Sequence, residues 1–248
     1  MKIIESLSNE AVKEVVRLHL SKGRAELGAF FVEGKRACIT FIKNGYKPLS
    51  AFVTQEHVSS LQEYVSEDII AEVSDAVIKK MSASITPSGI LCVFALPKNP
   101  DLRSLSSGLV LADITDPGNM GTLIRSCAAF GYNSVIVIGG CDPFSPKALQ
   151  ASAGTLPLIS LFEWTWEELT MHKGKLTLAA LVVNNGIPLK NLPAQDILFV
   201  VGNEAHGLPE KWVNECDHKV TLEMSAQVES LNAGIAGTLA LALFKHQS

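Results

Sequence analysis

Continuous apolar runs separated by polar, glycine-rich loops mark the C-terminal half of the chain. The runs do not alternate with polar residues, which is typical of parallel strands covered on both faces. Strands are predicted at 109–114, 134–138, 156–161, 176–183, 197–201 and 218–222. Helical patterns between them cover 119–130, 145–153, 164–172, 209–215 and 230–246. This repetition of strand and helix predicts an open, mostly parallel α/β sheet.

The first third of the chain mixes shorter helical and strand patterns. Apolar residues recur at helical spacing over 9–20, with Ser8 or Asn9 as the predicted N-cap, and a second helix is expected over 36–43. Strands are predicted at 29–32, 49–54, 69–73 and 90–95. We therefore expect a small α/β domain here.

A stretch rich in proline and serine separates these two regions. Pro97 and Pro100 precede a serine-rich segment at 104–108, and such segments between periodic regions are typical of linkers. The predicted boundaries are a first domain at 1–96, a linker at 97–107 and a second domain at 108–248.

The composition of the 248-residue chain is that of an ordinary globular protein, with 47% hydrophobic and 19% charged residues. Its net charge is −4, but residues 1–50 carry nine lysines and arginines against five acidic residues. This local basic excess has two interpretations, a polyanion partner or a solvated helical face. The charge alone does not choose between them.

The cysteines and the chain ends bear on the compartment. The five cysteines include no pair at CxxC spacing, which indicates neither a zinc site nor a redox dithiol but buried thiols in a reducing cytosol. The N-terminus lacks an apolar core of signal-peptide length. The apolar stretch near the C-terminus is broken by Asn232 and Gly234 and is too short to span a bilayer. We expect a cytoplasmic protein without membrane contact.

Polar segments that directly follow apolar runs carry the candidate chemistry. They are DPGNMGTLIRSCAAFG at 116–131, FVVGNEAHGLP at 199–209 and EMSAQVESLNAGIAG at 223–237. Since loops that follow parallel strands meet at one edge of a sheet, these segments are expected to build one composite site. Its candidate residues are Asn119, Arg125, Glu204, Ser230 and Asn232.

Helix capping is the competing explanation for several of these residues. Asn119 follows a turn signal and is well placed to cap the next helix, and Ser230 is a natural N-cap. Capping explains Asn232 less well, because asparagine inside an apolar helix start is unfavourable. Arg125 lies on an otherwise apolar helix, so it must snorkel, pair or face an anion. His206 alone is weak evidence for a site.

Missing motifs narrow the chemistry further. The sequence contains no G-x-G-x-x-G, no Walker A lysine loop and no G-x-S-x-G. It also has no His, Asp and Glu cluster at metal-ligand spacing. Of the enzyme chemistries considered, a group transfer that needs no metal ion is left.

The three segments resemble the motifs of the SpoU class of RNA ribose 2′-O-methyltransferases in the SPOUT superfamily. The first family motif is met by Asn119, Gly121, Arg125 and Gly131, the second by Gly202, Glu204, Gly207 and Leu208, and the third by Ser230, Leu231 and Asn232, preceded by Met224. The A-S-A-G segment at 151–154 is a weaker similarity to the family. The chain departs from the family at Gly234, where serine is frequent, and at Gln150, near which arginine is frequent.

The N-terminal region is similar to the family's substrate-binding domain of ribosomal-protein L30-like fold. The similarity rests on the segment at 12–36, which contains the Phe31-Val32-Glu33-Gly34 turn. Members with this domain typically act on rRNA, so the resemblance implies an RNA partner, rRNA first and tRNA second. It implies RNA contacts at Arg24, Lys35 and Arg36.

The resemblance also implies a fold, a cofactor and an assembly. The family's catalytic domain has a deep trefoil knot, binds S-adenosylmethionine without a metal, and works as a homodimer whose first-motif arginine completes the site across the interface. The donor-binding residues implied here are Leu181, Gly202, Gly207, Leu222, Met224 and Leu231. The catalytic residues implied are Asn119, Arg125, Glu204, Ser230 and Asn232.

The implied reaction assigns Arg125 a role that its chemistry allows. A ribose 2′-hydroxyl is a poor nucleophile near neutral pH and needs a base or a polarising group. Because arginine stays protonated, Arg125 is expected to bind the adjacent phosphate and to stabilise charge on the 2′ oxygen. The phosphate or a transiently deprotonated Arg125 then takes the proton. Two alternatives stay open: a non-catalytic RNA-binding or ribosome-assembly factor with this fold, and a methyltransferase of the antibiotic-resistance type.

Overall fold

The computed structural model describes residues 1–193, 196–225 and 227–245. The chain divides into two compact units. Unit 1 consists of Met1–Lys98 and Phe144–Pro157, and unit 2 consists of Asn99–Pro143 and Leu158–Ser248.

Unit 1 is built on a mixed sheet. Its elements up to residue 98 are β1 (Lys2–Ile4), α1 (Glu10–Arg17), α2 (Ser21–Leu27), β2 (Ala29–Glu33), α3 (Lys35–Lys43), β3 (Pro48–Val53), β4 (Ile70–Val73), α4 (Asp75–Met81) and β5 (Ile90–Ala95). The described strands lie in the order β1-β4-β3-β5-β2. β4 pairs in parallel with β1 and β3, and β5 pairs antiparallel with β2 and β3.

Successive residues of a strand point to opposite faces of a sheet, and β2 shows how this builds two cores in unit 1. Phe31 joins the cluster that contains Val12 and Val15 of α1 and Val77 of α4. Phe30, on the other face, lies 5.7 Å from the Phe41 ring of α3 between ring centroids. The sheet is therefore covered by helices on both faces.

Unit 2 is built on a parallel sheet. The helices and strands from residue 99 onward, of which only α6 belongs to unit 1, are β6 (Gly108–Ala112), α5 (Pro117–Ala129), β7 (Ser134–Ile138), α6 (Pro146–Ala151), β8 (Ser160–Glu163), α7 (Trp166–His172), β9 (Thr177–Leu181), β10 (Ile187–Pro188), β11 (Ile197–Val201), α8 (Glu210–Glu215), β12 (His218–Thr221) and α9 (Ala233–Lys245). The described strands lie in the order β10-β12-β9-β11-β6-β7-β8, and the pairs between them are parallel.

The central strands of unit 2 are buried along their whole length. Every residue of β6, β7 and β11 is buried. One face packs with Leu169 of α7, and on the other face Phe199 of β11 meets Phe244 of α9 with ring centroids 5.4 Å apart. The prediction of an open, mostly parallel α/β sheet covered on both faces is confirmed.

Helix α6 belongs to unit 1, although it lies far along the chain. Phe144 contributes to the aromatic core of unit 1, with its ring 4.9 Å from that of Phe30 between centroids. The A-S-A-G segment follows α6, and a side chain at Gly154 would meet the Cα of Ala37 at 2.9 Å. Gly154 therefore lets this segment lie directly against α3. The domain ranges drawn from the sequence stay a prediction.

Several elements differ from the sequence-based prediction. β1, α2 and α4 were not predicted; in α2, Gly23 resembles a break, but it is needed because a Cβ there would lie 2.0 Å from the Arg17 carbonyl oxygen. The strand predicted at 156–161 is a 3₁₀ turn at Leu156–Leu158 followed by β8. Pro157 and Ser160 in that segment left the bounds of the strand open.

Candidate functional site

The predicted loops of unit 2 converge at the carboxyl edge of the parallel sheet. The 113–119 segment follows β6, and the 202–208 segment follows β11, which is the neighbour of β6 in the sheet. The second loop closes on itself through reciprocal backbone hydrogen bonds between Asn203 and Gly207, at 3.2 and 2.9 Å. Parallel strands thus bring these two segments together, as the sequence predicts.

Glu204 ties the two loops together. Its Oε2 accepts hydrogen bonds from the backbone N–H and the hydroxyl of Thr115, at 3.2 and 3.0 Å. Its Oε1 accepts from the backbone N–H of Asp116 at 3.2 Å and from Nδ2 of Asn119 at 3.0 Å. This network fixes one carboxylate at the start of α5.

The network also sets the charge of this carboxylate. Burial raises the pKa of the Glu204 carboxyl, but hydrogen bonds from the Asn119 amide and from backbone N–H groups outweigh it and bring the pKa down to about 2. Glu204 is therefore ionised at neutral pH and serves as an acceptor, not as a general acid.

The thiol of Cys141, which lies near this network, is not a reactive nucleophile. Burial is the main cause that raises the pKa of Cys141 to about 11, and the carboxylates of Asp116 and Glu204 add to it. A protonated thiol is a poor nucleophile. The site therefore offers oxygen and amide groups, not cysteine chemistry.

The N-cap of α5 is Asp116, not Asn119. The Asp116 carboxylate accepts a hydrogen bond from the backbone N–H of Asn119 at 2.8 Å, and Pro117 occupies the first turn. The capping expectation for Asn119 was wrong, because the preceding aspartate takes that role. Asn119 is 9% exposed, and its side chain is free to bind Glu204 instead.

The N-cap of α9 is Asn232, not Ser230. The helix begins at Ala233, and Asn232 Oδ1 accepts from the backbone N–H of Ile235 at 3.2 Å. A Cβ at Gly234 would lie 3.0 Å from Asn119 Oδ1 and 3.1 Å from Asn232 Oδ1. The glycine that departs from the family motif thus lets both asparagine side chains approach the start of α9.

A cavity of about 340 Å³ opens beside the Glu204 loop; we call it the edge cavity. Its walls come from the ends of β9, β11 and β12 and from the segment before α9. All the residues predicted for donor binding line it, together with two predicted catalytic residues: Leu181, Gly202, Gly207, Leu222, Met224 and Leu231, with Glu204 and Ser230.

Gly202 is required by close backbone packing at the edge cavity. A Cβ at this position would lie 2.6 Å from the backbone of both Gly207 and Leu208. Backbone atoms cannot yield as a side chain can, so the tight 202–208 loop needs glycine here. The loop therefore exposes backbone groups to the edge cavity.

Arg125 does not line the edge cavity. It lies six residues after Asn119 on α5, which places the two side chains on different faces of the helix. Arg125 is exposed, and within the described parts of the chain no hydrogen bond or ion pair involves it. The structure brings Asn119, Glu204 and Asn232 together within one unit, but not Arg125.

The basic candidates of unit 1 fall into two groups. Arg24 is 3% exposed, and its guanidinium donates to the carbonyl oxygens of Leu18 and His19 at 2.8 and 3.2 Å. The expectation that Arg24 contacts RNA was wrong, because the fold uses this side chain internally. Lys35 and Arg36 are exposed and line a cavity of about 400 Å³ at the start of α3, the α3 cavity.

Sequence reasoning missed two contributors to the site. Thr115 gives Glu204 two hydrogen bonds, and Asn203 holds the loop by donating from Nδ2 to the backbone carbonyl of Asp113 at 2.8 Å. A threonine directly after a buried strand and an asparagine beside glycine were the available signals. Neither residue type is distinctive enough on its own.

Neither a membrane-spanning helix nor a metal-binding cluster occurs among the described residues. None of their helices is long and apolar enough to cross a membrane. Over the same residues, His, Cys, Asp and Glu side chains do not gather in groups of three or more that could hold a metal ion.

The parallel sheet and the three loops at its edge define an α/β domain of the SpoU methyltransferase class. Residues 107–242 match the model of the SpoU rRNA Methylase family, and residues 9–92 match that of an MRM3-like substrate binding domain. Because the first match covers more than half of the chain, the protein belongs to the SpoU rRNA Methylase family. The resemblance drawn from the three motifs is confirmed.

Known proteins are similar over nearly the whole chain. An uncharacterised tRNA/rRNA methyltransferase of Synechocystis is 29% identical over 94% of this chain and 89% of its own. A 23S rRNA (guanosine(2553)-2′-O)-methyltransferase of Bacillus subtilis is 28% identical over 96% of this chain and 97% of its own. The AdoMet-bound structure of an rRNA methyltransferase from Sinorhizobium meliloti has a TM-score of 0.89 at 23% identity, over 99% of this chain and 97% of its own.

Proposed function

We propose that this protein transfers the methyl group of S-adenosylmethionine to a ribose 2′-hydroxyl in structured RNA, with rRNA as the first substrate class and tRNA as the second. The observation that carries the proposal is the edge cavity, which gathers the donor-binding candidates beside the fixed Glu204 carboxylate. Family membership and the printed activity of the Bacillus subtilis relative support the same reaction.

The edge cavity suits S-adenosylmethionine in size and chemistry. Its volume of about 340 Å³ lies within the range of small-molecule sites. Leu181, Leu222 and Leu231 offer apolar walls for an adenine ring, and the glycine-rich 202–207 loop offers backbone groups for hydrogen bonds. When bound, S-adenosylmethionine supplies an electrophilic methyl group on a sulfonium, which needs no metal ion.

The predicted catalytic residues divide into positioning groups beside the edge cavity and one cation that lies outside it in the same chain. Glu204 and Asn119 hold each other and the start of α5, and Asn232 and Ser230 shape the segment that enters α9. Arg125 supplies the positive charge that acts on the RNA substrate. Its exposed guanidinium binds the phosphate next to the target ribose and stabilises negative charge on the 2′ oxygen. The proton passes to that phosphate or to a transiently deprotonated Arg125.

The protein acts as a homodimer in this proposal. Helix α9 buries Gly237, Leu241 and Phe244 within unit 2, yet its opposite face is also apolar, with Ile235, Leu239 and Leu243 exposed by 52%, 37% and 48%. A helix that is apolar all round is normally covered on all sides. We assign this face to a second copy of the chain. The Arg125 of one copy then completes the site of the other.

RNA recognition belongs to unit 1 in this proposal. Lys35 and Arg36 are exposed at the start of α3, where the helix dipole adds positive potential for a phosphate. The match of residues 9–92 to a substrate binding domain supports this division of labour. We keep 1–96 as the RNA-binding domain, 97–107 as the linker and 108–248 as the catalytic domain, with the knot that the family resemblance implies.

A cytoplasmic location is part of this proposal. All five cysteines are free in the structure, which is compatible with a reducing compartment.

Methyl transfer from radiolabelled S-adenosylmethionine to rRNA transcribed in vitro tests the proposal. Wild-type protein should label the RNA at a ribose 2′ oxygen, and Arg125→Ala should reduce the rate by roughly 100-fold or more. Arg103→Ala, which removes another exposed arginine of unit 2, should leave the rate unchanged. RNA binding without any methyl transfer would favour the non-catalytic alternative.

A further inference from the structure

A second cavity adjoins the edge cavity in unit 2. It has a volume of about 320 Å³ and shares Asn203, His206 and Gly207 with the edge cavity. The two cavities therefore lie on either side of the 203–207 loop. We call the second one the Asp113 cavity, after the carboxylate at its rim. Apart from Gly207, the residues that line it belong to none of the three family motifs.

Apolar and aromatic side chains form part of the walls of the Asp113 cavity. Ile138, Pro209 and Trp212 line it. The Trp212 ring is only half-buried and is held by stacking on Trp166, with centroids 4.8 Å apart and planes within 9°. Flat apolar and aromatic surfaces of this kind stack unpaired RNA bases. The shape thus suits one heterocycle.

Asp113 presents its carboxylate to this cavity from a constrained backbone. The residue follows β6 directly and has a φ of 57°, in the left-handed region that residues other than glycine seldom adopt. Its carbonyl oxygen accepts from Asn203 Nδ2 at 2.8 Å, which fixes the backbone. A Cβ at Gly139 would lie 3.6 Å from its Oδ1, so the carboxylate lies close to that glycine.

The Asp113 carboxylate is available for a ligand. The residue is exposed, and among the described residues no hydrogen bond or ion pair to its side chain occurs. By contrast, the Asn203 amide is committed to its own loop, accepting from the backbone N–H groups of Ala205 and His206 at 2.9 and 3.1 Å. Asp113 is therefore the carboxylate of this cavity that can hydrogen-bond a ligand; the His206 side chain also lines the cavity but carries no carboxylate.

The chemistry of a carboxylate selects among the RNA bases. An ionised carboxylate only accepts hydrogen bonds, and its two oxygens can accept a parallel pair. Guanine presents two adjacent donors on its Watson–Crick edge, N1–H and N2–H. Adenine and cytosine present an amino donor beside an acceptor, and uracil presents one donor between two acceptors. Guanine thus fits a carboxylate best.

We propose that the Asp113 cavity binds the base of the nucleotide to be methylated and that Asp113 selects guanine by accepting from N1–H and N2–H. An unstacked base would stack on the Trp212 and Pro209 walls. The ribose of that nucleotide would then lie next to the 203–207 loop, which both cavities share. This inference rests on the proposed methyl transfer to RNA and adds the base specificity.

Asp113→Asn is the test variant. Asparagine tolerates a left-handed backbone as aspartate does and keeps the side-chain size, but it replaces one acceptor oxygen by a donor. Glu210→Gln is the matched control, because Glu210 begins α8 next to Pro209 but does not line the cavity. Both variants should unfold at the same temperature as the wild type.

The first measurement maps the 2′-O-methyl position on 23S rRNA transcribed in vitro. The wild type should methylate a guanosine, and replacing that guanosine by adenosine should lower kcat/KM roughly 5- to 150-fold. Asp113→Asn should lose most of this discrimination, and Glu210→Gln should retain it. A methylated nucleotide other than guanosine, or an unchanged base preference in Asp113→Asn, would overturn the inference.

A second measurement separates this inference from the proposed function. Saturation-transfer NMR with the four nucleoside 5′-monophosphates reports base binding without any methyl transfer. The guanosine nucleotide should give the strongest signal on its base proton, and the signal should fall in Asp113→Asn only. If no RNA is methylated, the proposed reaction is wrong, but the NMR result still tests base binding by the Asp113 cavity. Equal signals for all four nucleotides, or no signal from any of them, would contradict selection of guanine by Asp113.

Discussion

Glu204 is exposed to solvent and nevertheless held from several directions. Thr115 and Asp116 donate to it from the end of β6, and Asn119 donates from the first turn of α5. Such a carboxylate loses little entropy when a ligand arrives, because the fold has already fixed it. Its role is to keep two loops at one separation beside the edge cavity.

Replacing Glu204 by Gln should destabilise the protein more at neutral than at acid pH. Since the folded pKa is lowered from 4.5 to about 2, the stabilising contribution is complete above the unfolded pKa and is lost as the pH falls from 4.5 towards 2. Urea midpoints of wild type and Glu204→Gln should therefore differ more at pH 7 than at pH 4. An equal or larger difference at pH 4 would show that the carboxylate is not held as described.

Arg24 and Arg36 should separate stability from RNA binding. Removing Arg24 leaves the buried carbonyl of Leu18 and the partly buried carbonyl of His19 without this charged donor, so Arg24→Ala should lower the free energy of unfolding by about 2–3 kcal/mol. Arg36→Ala, at an exposed position, should change it by less than about 0.5 kcal/mol and weaken RNA binding instead. Urea unfolding and filter binding of rRNA measure the two effects. Comparable stability losses would refute the assignment.

At the scale of single residues, the sequence predicted which side chains gather but not always what they do. Asn119, Glu204 and Asn232 were all expected in one site, and they do lie together. The capping roles were misassigned because Asp116 and Asn232 compete for the same orphan N–H groups as their neighbours. Competition between adjacent polar residues depends on where the helix begins, which the sequence locates only within a few residues.

Helix α9 packs against unit 2 with one face and exposes an apolar stripe on the other. Its inner face packs closely on α5: Ser126 and Thr238 share a hydrogen bond of 2.7 Å between their hydroxyls, and Gly237 lies against Leu123. Its outer face is the apolar stripe assigned above to a second copy. The helix therefore links the entrance of the edge cavity to the proposed dimer interface.

A charge on the outer face of α9 should disrupt the proposed dimer. Leu239→Glu introduces a carboxylate into the apolar stripe and should convert the dimer to a monomer at micromolar concentration, as sedimentation velocity would show. Met171→Glu, at a 75% exposed position on α7, is the control and should leave the dimer intact. A wild-type protein that sediments as a monomer would contradict the assignment.

The loop after β7 should depend on Gly140 more than an ordinary turn depends on its glycine. Gly140 has a φ of +78°, and a Cβ there would lie 2.3 Å from the Ile114 carbonyl oxygen. Gly174 has a φ of +58° with open space around it. Gly174→Ala should cost about 1–2 kcal/mol of unfolding free energy, and Gly140→Ala clearly more. If both variants lose the same unfolding free energy, the 113–116 loop can move away from a side chain at position 140 without cost, which would contradict the prediction.

At the scale of elements, hydrophobic pattern predicted the parallel sheet of unit 2 well. β7 and β11 match the predicted strands at 134–138 and 197–201 because a long buried run leaves little freedom for its ends. The pattern missed α2 and α4, which are short and owe their stability to packing rather than to an extended apolar stripe. It also could not assign α6 to unit 1, since that contact joins distant parts of the chain.

For the whole molecule, charge is distributed in line with the proposed division of labour. The chain is acidic overall with a net charge of −4, while residues 1–50 have a basic excess. The structure removes Arg24 from this basic set and keeps Lys35 and Arg36 at the surface beside the α3 cavity. Only exposed cations can displace counterions from RNA.

Binding of rRNA should therefore weaken steeply with salt, and the steepness should depend on the lysine and arginine that line the α3 cavity. The logarithm of the binding constant should fall linearly with the logarithm of the salt concentration, and Lys35→Ala should reduce the slope by roughly 1. Lys98→Ala serves as the control and should leave the slope unchanged. Filter binding between about 50 and 200 mM salt measures it. A binding constant that does not change with salt would contradict the proposal that unit 1 binds RNA phosphates.

The central claim is that this protein methylates a ribose 2′ oxygen in cellular RNA. Mapping of 2′-O-methyl positions in total RNA, from cells with the intact gene and from cells that lack it, tests this claim most directly. One position in rRNA should lose its methyl group in the absence of the protein and regain it with wild type but not with Arg125→Ala. Unchanged methylation in every RNA would contradict the account.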